Sequence, residues 1–73
     1  MNDKEMFLKK MRAMSLIKAE LMSSGKDPEI IQTLLMGEYD RKEENGISKM
    51  IERIDLDNRK DIKRLMEMVF KRI

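Results

Sequence analysis

The chain of 73 residues has no cysteine, no histidine and no tryptophan, a single proline, and only three glycines. Each absence removes a class of explanation. Without cysteine there is no disulfide staple, and without cysteine or histidine the usual zinc ligands are missing. A domain this small buries only about 60% of the surface its unfolded chain exposes, so the stabilisers left to it are close helix packing or association. The missing histidine also removes the side chain that titrates near neutrality. A general base would have to be a perturbed Asp, Glu or Lys, and the nucleophiles are limited to Ser, Thr, Tyr and Lys. None of Ser15, Ser23, Ser24 or Ser48 lies in a nucleophile motif. Gly25, Gly37 and Gly46 stand apart from one another, which excludes a glycine-rich phosphate loop. The expectation is a protein without catalytic activity, cofactor or small-molecule substrate.

Long apolar runs are equally scarce. Stretches such as Leu34-Leu35-Met36 fall far short of the roughly 20 residues that span a bilayer. The opening Asn2-Asp3-Lys4-Glu5 lacks the basic region and apolar block of a signal peptide, so a cytoplasmic location is expected. Aromatics are few, two Phe and one Tyr, against nine Met, seven Leu and eight Ile. Methionine fills irregular gaps and adapts to partners, whereas aromatics act as rigid anchors. The balance therefore predicts a methionine-rich, adaptable core or interface.

Charge is abundant and unevenly laid out. Residues 1–26 carry +3, residues 27–46 carry −4 and residues 47–73 carry +3. Basic ends and an acidic middle are able to pair within one chain or across a dimer, setting orientation more than stability.

Helical periodicity dominates the chain. Asn2 with Glu5 three residues on forms a capping-box arrangement, and Phe7, Met11, Met14, Ile17 and Leu21 recur at spacings of four and three. Gly25 supplies a left-handed stop, which predicts a first helix over 3–24. Asp27-Pro28 is a capping carboxylate followed by a ring suited to the first helical position, predicting a second helix from residue 28. Ile30, Ile31, Leu34, Leu35 and Tyr39 form its apolar face. The charged stretch Asp40 to Asn45 carries it to about residue 44, with an end near Gly37 as the alternative. Two arrangements fit residues 47–73. Either a short helix bearing Ile47, Met50, Ile51 and Ile54 breaks near 55–57 and Asp57 caps a fresh one, or one long helix carries Asn58 in its apolar seam. The break is favoured because Asp55, Asp57 and Asn58 prefer caps to helix interiors.

Four sharper readings compete with these plain ones. Asp55, Asp57 and Asp61 match three positions of a calcium loop, but Lys60 replaces the required glycine and Met66 the bidentate glutamate, so they read as capping acids. Lys9, Lys10, Arg12 and Lys18 beside Met6, Phe7, Leu8 and Met11 suggest a membrane-surface helix. That face is also the largest apolar block available for a core, so no membrane association is expected. Lys49, Arg53, Arg59, Lys60, Lys63 and Arg64 form a basic cluster suited to phosphates, tempered by the interspersed Asp57, Asp61 and Glu67. Gly46-Ile47-Ser48 resembles the turn of a helix-turn-helix. However, the preceding turn is the charged Arg41-Lys42-Glu43-Glu44, and the later anchoring position is Glu52.

The expected fold is all-α, a small hairpin or bundle of three to four helices in a single domain, completed by homodimerisation. The expected function is that of a small regulatory, adaptor or inhibitor protein acting by helix-mediated contact with another protein, of the kind bacteria and their phages encode. The candidate core or interface residues are Phe7, Met11, Met14, Ile17 and Leu21 in the first helix and Leu65, Met66, Val69, Phe70 and Ile73 in the last. A DNA-binding regulator using the basic cluster is the alternative, and a structural assembly subunit the third.

Overall fold

In the computed structural model, which describes residues 2–73, the chain forms four helices. They are α1 (Asp3–Ser23), α2 (Ile30–Asp40), α3 (Ile47–Arg53) and α4 (Arg59–Lys71). No strand occurs among the described residues, and the fold is all-α.

Local chemistry sets each boundary. Asn2 Oδ1 accepts the Glu5 N–H at 2.8 Å, relieving one of the unpaired donors that open α1. At the other end Gly25 adopts φ +74°, and two reversed bonds close the helix: Gly25 N–H to Met22 O at 3.1 Å and Lys26 N–H to Leu21 O at 2.8 Å. This is the glycine-terminated helix end that the sequence predicts.

The second helix departs from expectation at both ends. It begins at Ile30 rather than 28, because Asp27 O and Glu29 O close two tight turns with the N–H groups of Ile30 and Gln32. The Asp27 side chain meanwhile caps Glu29 N–H at 3.0 Å. It ends at Asp40, not 44, and Gly37 lies within it. Lys42 takes φ 52°, and Lys42 N–H bonds Tyr39 O while Glu43 N–H bonds Glu38 O. The hydrogen-bond pattern is that of the Gly25 stop, but a lysine supplies the left-handed residue.

The segment after α2 returns to the protein, and α3 packs against all three other helices. Seven residues are too few for a helix to stand alone. Both its ends are completed by side chains from afar. Glu38 of α2 accepts the N–H groups of Ile47 at 2.7 Å and Ser48 at 3.2 Å, while Lys9 Nζ of α1 donates to Glu52 O at 3.2 Å. The negative group sits at the positive end of the helix dipole and the positive group at the negative end.

Residues 54–58 separate α3 from α4, and the cap of α4 is Asn58, not Asp57. Asn58 Oδ1 accepts the N–H groups of Lys60 and Asp61, which removes Asn58 from any apolar seam. Asp55 Oδ1 bonds Asp57 N–H and Asp61 Oδ2 bonds Asp55 N–H, so the acids of the suspected calcium loop stabilise a turn.

The core consists of Ala13, Ile17 and Leu21 from α1, Ile31 from α2, Ile47 and Ile51 from α3, Leu56 from the connection, and Leu65 and Val69 from α4. It contains no methionine, so the core half of the methionine-rich expectation does not hold. Met14, Met50, Met66 and Met68 pack around it half-buried, and Met11, Met22 and Met36 are exposed. Branched, stiff side chains thus define the centre, and the adaptable ones lie at its edge. The molecule measures 35 × 29 × 18 Å.

Candidate functional site

Glu38 is the one buried charged side chain among the described residues, 4% exposed. Beyond capping α3 it accepts from Arg72 Nη1 at 3.2 Å, and the same guanidinium nitrogen donates to Glu43 Oε1 at 2.7 Å. Arg41 Nη2 donates to the other Glu43 oxygen at 3.0 Å. Hydrogen bonds from Arg72 first, and from Arg41 second, hold the Glu43 carboxyl below its ordinary range. Gly46 stands directly over the Glu38 carboxylate. The suspected turn of a DNA reader is therefore a buried electrostatic joint that ties α2, α3 and the end of α4 together. Every polar atom of Glu38 finds a protein partner, as a structural cluster requires.

The predicted site residues divide into three groups. Ile17, Leu21, Leu65 and Val69 are fully buried, and Met14, Met66 and Phe70 pack half-buried against them. Phe7 and Met11, on the same α1 stripe, are 62% and 53% exposed, and Ile73 is also exposed. The stripe divides because the buried face of α1 is that of Ala13, Ile17 and Leu21, and Phe7 and Met11 lie roughly 80–120° round the helix from its centre. At their level the inner side carries Lys9 and Lys10, which reach Glu52 of α3.

Two residues outside the predicted set extend the exposed part. Met36 is 62% and Tyr39 79% exposed, and both line a shallow apolar depression with Met14, Gln32 and Leu35. Met11 and Phe7 precede Met14 by one and two turns on the same face of α1. Phe7, Met11, Met14, Met36 and Tyr39 thus form one strip across α1 and α2. Tyr39 fits the periodicity of a buried face and nothing local in the sequence marks it as exposed; Met36 lies one residue off that face.

The basic residues also separate. Lys49 of α3 is half-buried and 3.9 Å from Glu52, while Arg53 is exposed. Arg59, Lys60, Lys63 and Arg64 are all exposed on α4, joined by Lys71 about two turns after Arg64. Arg72, next to Lys71, instead faces inward to Glu38. Lys10 and Arg12 are engaged across the fold with Glu52 at 3.1 Å and Asp57 at 2.6 Å. The Lys10 hydrogen bond lowers the Glu52 carboxyl, and the Asp57 bond raises the Arg12 guanidinium.

A depression of about 670 Å³ opens between the end of α2 and α3, where Lys10, Tyr39, Glu44 and Lys49 lie on its walls. Charges of both signs line it without a convergent donor set. Among the described residues no three Asp or Glu side chains gather as metal ligands, and no helix is long and apolar enough to cross a membrane. No family model, curated protein or solved structure matches the chain.

Proposed function

We propose that this protein is a non-catalytic regulatory or adaptor module acting by helix-mediated protein contact, and that its contact surface is the α1/α2 strip. The occupant that fits is a second copy of the chain. The observation that carries this is the exposure of Phe7, Met11, Met36 and Tyr39 on adjoining helix faces. At about 200 Å² for a fully exposed large side chain, the four present on the order of 500 Å² of mainly apolar surface. A standard interface takes about 800 Å² from each partner, roughly 60% of it apolar. The strip therefore has about the apolar area of one half of a dimer.

Its form also suits self-association. Phe7, Met11 and Met14 make a ridge, and the depression among Met14, Leu35, Met36 and Tyr39 makes a receiving hollow. A two-fold interface needs both on one surface, so that each copy gives and receives.

Light scattering coupled to size-exclusion chromatography across micromolar concentrations tests the reading. The expected result is a dimer for the natural protein and a monomer of unchanged helical circular dichroism for Met36→Glu and for Phe7→Glu. A natural chain that stays monomeric throughout would overturn it.

A further inference from the structure

The outer face of α4 is a second surface, built on charge instead of apolar area. Arg59, Lys60, Lys63, Arg64 and Lys71 are exposed, and among the described residues none of them lies in an ion pair, although seven such contacts form elsewhere. Two of the three acids that the sequence sets against them are committed to other tasks. Asp57 holds Arg12 at 2.6 Å, and Asp61 is half-buried and accepts the Asp55 N–H at 2.9 Å. Glu67 is the single acid left on that face.

The same helix turns its apolar stripe inward, with Leu65 and Val69 fully buried. Large exposed apolar side chains are absent from residues 59–72. A membrane-surface helix needs an apolar face to insert, and a protein partner needs apolar or aromatic anchors at the centre of its contact. Neither is available on α4. A phosphate backbone needs only cations at a matching pitch. From Lys60 to Lys71 the helix advances about 16 Å, over which one strand of B-form DNA presents about five phosphates. The wide major groove of B-form DNA admits a helix with such arms, whereas the deep, narrow groove of duplex RNA does not.

We propose that the outer face of α4, through Arg59, Lys60, Lys63, Arg64 and Lys71, binds the phosphate backbone of double-stranded DNA without reading its sequence. This surface lies on α4, apart from the α1/α2 strip, and does not require the dimer.

Fluorescence anisotropy with a short labelled DNA duplex, titrated at several salt concentrations, is the test. The natural protein should bind at low salt and lose about 100-fold in affinity between 50 and 200 mM, the slope of about four released counterions. Lys63→Glu with Arg64→Glu should weaken low-salt binding at least tenfold. Glu67→Gln should tighten it severalfold, and Lys4→Glu with Lys26→Glu, which reverses two exposed cations outside α4, should change it less than the α4 variant does. Circular dichroism and urea midpoints establish that each variant is folded. Absence of binding at low salt would overturn the proposal, as would loss in the Lys4/Lys26 variant equal to that in the α4 variant. A tighter complex with duplex RNA or with anionic vesicles than with DNA would also overturn it.

Discussion

The carboxylate of Glu38 fills the space that a side chain at position 46 would need: a Cβ on Gly46 would come within 2.5 Å of it. Gly46 has φ −87°, which any residue adopts, so the requirement is one of space and not of backbone angle. Only a bare backbone lets Glu38 reach the N–H groups of Ile47 and Ser48 while still meeting Arg72.

Gly46→Ala should therefore destabilise the protein by about 2–4 kcal/mol, combining a displaced cap with a disturbed buried carboxylate. That is a large share of the roughly 4–11 kcal/mol expected for a domain of this length. In a Glu38→Ala background the added methyl should cost only a few tenths of a kcal/mol, because the obstructing group is gone. Urea denaturation of the four proteins in this cycle measures the coupling. Additive effects would show that the close approach is of no consequence.

Lys42 closes α2 in a left-handed conformation that costs a non-glycine residue about 1 kcal/mol. Its side chain is exposed, so glycine there should relieve strain without losing a contact. Lys42→Gly is expected to stabilise by about 0.5–1 kcal/mol, read as a higher urea midpoint. A lower midpoint would mean that the lysine contributes something its exposure does not indicate.

On one sequence stripe of α1, Ile17 is fully buried and Phe7 is 62% exposed. Ile17→Ala should cost about 2–4 kcal/mol through lost burial and a cavity. Phe7→Ala should cost less than about 0.5 kcal/mol when the protein is dilute enough to be monomeric. Equal losses in dilute denaturant titrations would place both residues in the same core.

That pair also shows what the sequence makes legible. Period and caps are local properties, so the all-α class, the Gly25 stop and the break between α3 and α4 can be read directly. Which part of a broad apolar stripe becomes core depends on which side of the helix its neighbours take, and at the start of α1 that side carries Lys9 and Lys10, which reach α3. The end of α2 is hidden as well: a lysine takes the left-handed position beyond it, and Glu43, on the turn so closed, accepts a hydrogen bond from Arg72 nearly thirty residues away. The buried role of Glu38 is hidden in the same way, because an acid inside a charged stretch reads as solvated until Gly46 and Arg72 are brought to it. On α4, spacing shows which cations share a face. Only the fold shows that Asp57 and Asp61 are occupied elsewhere and that Arg72 has turned inward.

Acid should weaken the fold through Glu43 and Glu52. Both carboxyls are held below the ordinary value, Glu43 by hydrogen bonds from Arg72 and Arg41, Glu52 by the hydrogen bond from Lys10. A free glutamate titrates at about 4.3, so on acidification the unfolded chain takes up protons at these positions first. Their contribution is fully present above that value and is lost as the pH falls through the lowered values of the folded state. The urea midpoint should therefore stay level from neutrality to about pH 5.5 and decline below about pH 4.5. The double variant Glu43→Gln, Glu52→Gln should begin from a lower midpoint at neutral pH and decline less steeply, since its side chains have no proton to gain. Raised salt should reduce the difference between the two proteins, because the groups that hold Glu43 and Glu52 keep partial contact with solvent. If the variant lost stability on acidification as steeply as the natural chain, the acid sensitivity would have to reside in other carboxylates.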